Sequence, residues 1–409
     1  MNHTFHTLMR TAVIGGASLF MLLFFLFPGQ IFEASMKGIA IWWEVLFPSL
    51  FPFLVIAELM LGFGIVHFFG TLLDPIMRPL FRVPGIGGFV MAMGFASGYP
   101  VGSKLAAQLR EQHLITRLEG ERLIAFTTTS DPIFLIGAVS VGFFHLPSAA
   151  IILAIAHYGG AILIGLIFRF YGYGREQKNA EPAKPLPSKR KNIVMQAFQN
   201  MHRARLENQK PIGLLLQDSI QSAIKLIMVI GGLVVFFSVF MECLSIINVL
   251  GALYFITHQL FDLFSIPLDL APAFMNGWFE VTLGARSAGT AGAEVPLMLK
   301  CAAASFVLSW GGLSVHAQVA SLINRTDFSY KPFLWARLIH GFISAAIVVA
   351  FWPWLSRWLE GQTVFSQLSP NMPFSQTLPY GFIVSGLMFA GMLIILGTSA
   401  WLRSRLRFK

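Results

Sequence analysis

The sequence predicts an all-helical polytopic membrane protein with about eight transmembrane helices and two re-entrant helical hairpins in an inverted repeat. Three observations predict it. Of 409 residues, 56% are apolar and only 12% charged, against about 25% charged in soluble domains. Eight apolar runs approach or exceed the roughly 20 residues that a crossing needs. Two further apolar stretches, 86–110 and 270–290, are interrupted near their middles by glycine and small polar residues, which suits a hairpin that enters and returns.

The eight runs are 11–27, 38–66, 121–144, 148–169, 217–245, 296–323, 333–356 and 380–402. No small-residue cleavage site follows the first, so it is expected to remain as a span. Arg10 precedes it, and Arg403, Arg405, Arg407 and Lys409 follow the last. The positive-inside rule therefore puts both termini in the cytoplasm, which requires an even number of crossings. Arg78 and Arg82 before the first hairpin, and Arg110, Arg117 and Arg122 after it, place its mouth on the cytoplasmic side. Residues 246–269 contain no Lys or Arg, so the second hairpin enters from the opposite side.

The halves also match in register. Gly102 precedes Thr127 by 25 residues and Gly284 precedes Ser309 by 25, and the same offset sets Lys104 on Arg286. Glu58 and Glu242 hold nearly equivalent places before each hairpin. Halves that begin on opposite faces form an inverted repeat, an architecture of secondary transporters with substrate held at broken helices near the midplane. The expected organisation is an N-terminal span in 1–36, a first repeat over 37–170, a linker at 171–211, a second repeat over 212–356, and an outer loop with a last span in 357–409.

The net charge of +10 sits in loops and linker. Gly172 to Pro211 holds nine Lys/Arg against three Glu, with Pro182, Pro185 and Pro187, and reads as a linker facing anionic lipid rather than nucleic acid. A short surface helix is expected between Asn192 and Gln209. Cys243 and Cys301 both fall in expected spans, which excludes a disulfide framework or a thiolate metal site. No phosphate-binding loop, Gly-x-Ser-x-Gly or His-Glu-x-x-His is present, so neither an enzyme nor a nucleotide-driven pump is indicated.

The candidate site lies at the interruptions. Ser97-Gly98-Tyr99-Pro100-Val101-Gly102 forms the first tip. The returning helix presents unpaired N–H groups that suit an anion, and Lys104 follows one turn in. Lys104 either faces a ligand or snorkels to the surface. Asn276, Glu280, Thr282 and Arg286 repeat the plan in the second hairpin, where Arg286 either binds a carboxylate or pairs with Glu280 or Glu294. Thr127, Thr128, Thr129, Ser130 and Asp131 come next, with Asp131 near mid-membrane. Pro132 cannot donate to the carbonyl of Thr128, which frees that oxygen for a ligand or ion. Two of the four hydroxyls are expected to be interhelical glue. Ser309 stands at the corresponding place in the second half, before Gly311-Gly312. Asp131, Glu58 and Glu242 are candidates for coupling to H⁺ or Na⁺, although Glu58 paired with Lys104 or Arg286 would be structural.

Phe47-Pro48-Ser49-Leu50-Phe51-Pro52-Phe53, Gly94 to Lys104 and Thr127 to Pro132 resemble the YlbJ-type sporulation integral membrane proteins of endospore-forming bacteria. These contain nucleoside-recognition (Gate) domains and are related to the concentrative nucleoside transporters. The resemblance implies a concentrative-nucleoside-transporter-like fold with a Gate domain in each repeat. It also implies a place in the mother-cell (outer forespore) membrane and a role in moving dipicolinic acid toward the spore for cortex and core maturation. On that reading Lys104 and Arg286 bind the carboxylates, and Tyr99, Trp278 and Trp310 supply aromatic walls. No cofactor or metal is expected, and a homo-oligomer is compatible with it. The alternatives are a carrier of nucleosides or another neutral solute, and a non-transporting membrane factor for cortex assembly.

Overall fold

Proline and glycine decide where this chain turns. The computed structural model describes residues 2–172, 174, 193–208 and 210–357, and among them every regular element is helical. Helix α1 (Asn2–Leu26) stops at Phe27, and Pro28 opens α2 (Pro28–Ala40) at a bend of 103°. Proline suits a first helical position because the N–H it lacks would have no partner there. A π-helical turn, Ile41–Leu46, leads into α3 (Phe47–Gly62). Gly64, at φ +75°, then bends the chain by 85° into α4 (Ile65–Phe81). The runs expected as straight spans at 11–27 and 38–66 are thus parts of two bent pairs.

The first hairpin follows as α5 (Ile86–Ser97) and α6 (Val101–Glu111). Helix α7 (Arg117–Thr127) starts at a capping box: the Thr116 hydroxyl accepts from Glu119 N, and Glu119 accepts from Thr116 N at 2.8 Å. The run expected as one crossing at 121–144 is broken, because α7 ends at Thr127 and helix resumes only as a π segment at Phe134–Phe143. Helix α8 (Ala149–Phe168) closes this half. The expected surface helix is present as α9 (Ile193–Asn208), and it packs on α4, where Asn200 donates to Thr71 at 2.8 Å.

Helix α10 (Ile212–Ile246) is long and apolar, and α2 lies along it. A Cβ on Gly38 would come within 2.8 Å of Val235 Cα, so glycine permits that approach. Helix α11 (Val249–Leu263) occupies a stretch expected to be a loop. The second hairpin is α12 (Ala271–Phe279) and α13 (Val281–Gly289). Helices α14 (Leu297–Trp310) and α15 (Gly312–Ile323) form a span broken at Gly311, at φ +86°. Helix α16 (Tyr330–Leu355) packs against α8 and α14 at the centre. Among the described residues four stretches are long and apolar enough to cross a membrane, 149–168, 212–246, 297–323 and 330–354, and six if each bent pair is one span. The outer loop and last span expected in 357–409 lie almost wholly outside the described residues, as does most of the basic linker.

Candidate functional site

The two hairpins and the two broken helices meet at the centre of the bundle. In the first hairpin, α5 and α6 cross at Gly94 and Gly102, and Thr127 fills the notch. A Cβ on either glycine would lie 2.4–2.6 Å from the Thr127 carbonyl oxygen. In the second, α12 and α13 cross at Gly277 and Gly284, where a Cβ on Gly284 would stand 2.2 Å from Gly277 Cα. Glycine lets the arms touch backbone to backbone.

Each half delivers a carboxylate, one at the break after α7 and one at the tip of the second hairpin. Asp131 accepts from Phe134 N at 2.8 Å and so caps the π segment. Glu280 separates the two arms of its hairpin and caps α13, accepting from Leu283 N at 2.8 Å and from the Thr282 hydroxyl at 3.1 Å. Carboxylates are favoured at helix N-termini, where N–H groups have no intrahelical acceptor. Both line one cavity of about 30 Å³ with Tyr99, Ser130, Thr282, Ser314 and Gln318. That volume holds one or two water molecules. No Lys, Arg or His is among its lining residues.

The broken backbone is held from behind. Ser130 N donates to His157 Nε2 at 2.9 Å, and Ser130 O accepts from the Tyr158 hydroxyl at 2.9 Å. With Nε2 accepting, Nδ1 carries the proton and donates to Ser309 Oγ at 2.9 Å, which in turn donates to Ser344 at 2.8 Å. His340 Nε2 donates to the His157 carbonyl at 2.8 Å. One imidazole on α8 therefore joins the break after α7 to the end of α14. Backbone that leaves helical geometry inside a membrane needs such partners, since lipid supplies none.

Arg337 completes the joint. Fully buried on α16, it donates to Ala125 O at 2.5 Å, to Thr128 O, and to Ser309 O at 3.3 Å. The guanidinium thus sits between the C-terminal ends of α7 and α14, where exposed carbonyls carry partial negative charge. The Thr128 oxygen that Pro132 leaves free is occupied by this arginine rather than by a ligand.

The other expected residues are spread around this centre. Thr127 and Thr128 donate to carbonyls of their own helix, Leu123 and Ile124, and Ser103 meets Thr128 at 2.9 Å. Thr129 reaches Gly94 O at 3.4 Å, and Ser97 is buried beside the tip. The Tyr99 hydroxyl donates to Leu308 O across to the second half. Asn276 bonds Ser287 at 2.9 Å, within the second hairpin and off the cavity. Lys104 and Arg286 are not brought together. Lys104 forms an ion pair with Glu58, shared with Ser222 at 2.9 Å, while Arg286 is exposed on α13. A cation with little water around it takes the nearest carboxylate. Glu242 is half-buried on α10 and does not line the cavity. Trp278 and Trp310 stack at 4.6 Å, also off the cavity. The residues that sequence reasoning missed are Arg337, His157, His340 and Tyr158, and the signal available was an ionisable residue inside an apolar run.

Apolar helices bent, broken and re-joined around a buried polar centre define a polytopic integral membrane protein. Residues 43–162 match the Gate family, described as nucleoside recognition. The sporulation integral membrane protein YlbJ of Bacillus subtilis (strain 168) is 44% identical over 347 residues, covering 84% of this chain and 83% of that protein. The chain belongs to this family of sporulation integral membrane proteins. No solved structure matches it.

Proposed function

We propose that this chain is a secondary carrier of a small polar solute, working by alternating access around the cavity between Asp131 and Glu280. The observation that carries the reading is that both hairpin tips and both broken helices contribute polar side chains to one central cavity. Each half supplies a glycine-crossed hairpin followed by a broken helix, which supports an inverted repeat with the two mouths on opposite membrane faces. The nucleoside-recognition match supports a small-molecule ligand.

The cargo we propose is dipicolinate, moved from the mother cell across the outer forespore membrane; membership of a sporulation family supports it. A dianion beside Asp131 and Glu280, with no cation in the lining, requires compensating charge. Protons or Na⁺ travelling with it would supply that, which gives Asp131 a coupling role. A second reading, a nucleoside or other neutral solute, is favoured by the lining itself, whose hydroxyls, amide and carboxylates suit a polyhydroxyl ligand.

Thermal unfolding of the purified protein with dipicolinate or uridine, followed by uptake into proteoliposomes under an imposed H⁺ or Na⁺ gradient, tests both. Stabilisation by dipicolinate and gradient-dependent uptake is the expected result, with the gradient dependence, but not the binding, lost in Asp131→Asn. Stabilisation by uridine alone transfers the site to neutral solutes. No response to either in a folded protein leaves a non-transporting factor of cortex assembly.

A further inference from the structure

A second pocket, of about 650 Å³, opens where α8 ends and α16 begins. Arg117, Phe170, Tyr171, Lys331 and Trp335 are among the residues that line it. Phe170 is 63% exposed and lies between two guanidinium groups, Arg82 at 5.4 Å and Arg169 at 5.2 Å. Trp335 is 59% exposed. The Arg169 Nε is buried with no partner among the described residues. The acids near Arg117 are already engaged. Glu121 accepts from Arg117 at 2.9 Å, from Ser329 N at 2.7 Å and from Tyr171 at 3.0 Å, and Asp327 accepts both arms of Arg110 at 3.0 Å.

Arg117 and Lys331 in the lining, with Arg82 and Arg169 flanking Phe170, therefore set four cations around two bare aromatic rings at the ends of two candidate membrane-crossing helices. Aromatic rings at helix ends occupy the level of lipid headgroups, and basic pockets between such helices take anionic ones. A free phosphate would answer the charges and leave the rings in water. We propose that this pocket holds the headgroup of an anionic phospholipid, with its acyl chain against Trp335 and Phe170.

The test uses the full-length purified protein, by native mass spectrometry and thermal unfolding, with phosphatidylglycerol, phosphatidylcholine and inorganic phosphate as probes. Phosphatidylglycerol should be retained and should stabilise, while the other two should not. A surface-near cation contributes about 1 kcal/mol to anionic-lipid binding, so Lys331→Glu should weaken the phosphatidylglycerol preference about thirtyfold. Lys331 is exposed, so this variant should fold; Trp335→Ala should weaken retention without making phosphate a better ligand. An unchanged preference in Lys331→Glu overturns the proposal, as does equal stabilisation by phosphate or by phosphatidylcholine. The pocket is distinct from the central cavity, so Asp131→Asn should leave this binding intact whatever the cargo proves to be.

Discussion

Replacing Arg337 with methionine should loosen the bundle at its centre. The arginine satisfies three carbonyls on two helix ends, those of Ala125, Thr128 and Ser309. Methionine fills similar space and donates nothing, so these oxygens lose a charged donor within a fully buried region. A buried acceptor left without its partner costs about 1–3 kcal/mol. Removing the cation also relieves the several kcal/mol needed to keep it out of water, which sets the net loss near the bottom of the summed range, about 3–4 kcal/mol. Unfolding entropy of about 2.1 cal/mol/K per residue turns that into a melting point lowered by about 4 °C for a chain this long. Arg337→Lys keeps the charge without the planar fork and should fall between the two. Thermal unfolding of the three proteins in one detergent makes the comparison. A methionine variant melting within about 1 °C of the parent would mean the two helix ends do not depend on this joint.

The remaining expectations are narrower. In a double-mutant cycle of Lys104→Met and Glu58→Met, the pair should lose less stability than the two single variants summed, because each single change strands the other charge; additive losses would show no functional ion pair. Gly284→Ala should destabilise the second hairpin by about 1–3 kcal/mol, since the added methyl meets backbone at Gly277, and unchanged stability would refute that close crossing. Arg110 holds the Asp327 carboxyl below the usual aspartate value of 3.8 through its hydrogen bonds. That contribution is present above pH 3.8 and lost as the pH falls through the lower folded value, so Asp327→Asn should flatten the acid limb of stability there. The effect should be small and salt-sensitive, as both side chains are partly exposed.

Much of the site was legible because breaks in apolar runs are local signals. Gly98, Pro100, Pro132 and Gly311 each mark a place where helix cannot continue, and the structure breaks beside all four. Asp131 stood out as a carboxylate next to such a break, Glu280 only as a polar residue of the second hairpin, and they share one cavity. What failed to show was which partner each charged side chain takes. Lys104 and Arg286 occupy matching registers, but α3 brings Glu58 to the first, and α13 turns the second outward. Arg337 lies seven residues into α16, close enough to Lys331 and Arg325 to pass for part of a basic end. Only packing shows that this stretch of α16 runs past the ends of α7 and α14. The bends at Phe27 and Gly64 were hidden for a similar reason, since apolar composition on both sides of a turn reads as one continuous run.

The small volume between Asp131 and Glu280 bears on conduction. Proton hopping needs an unbroken file of water, and this cavity, walled on its apolar side by Val281, Val315, Phe134 and Ile230, holds only one or two molecules. On the carrier reading, a bilayer packed with this protein should hold a voltage nearly as well as bare lipid does. On that reading, proposed above, cargo would then cross by rearrangement of the hairpins, one occupant at a time, with no current flowing between turnovers.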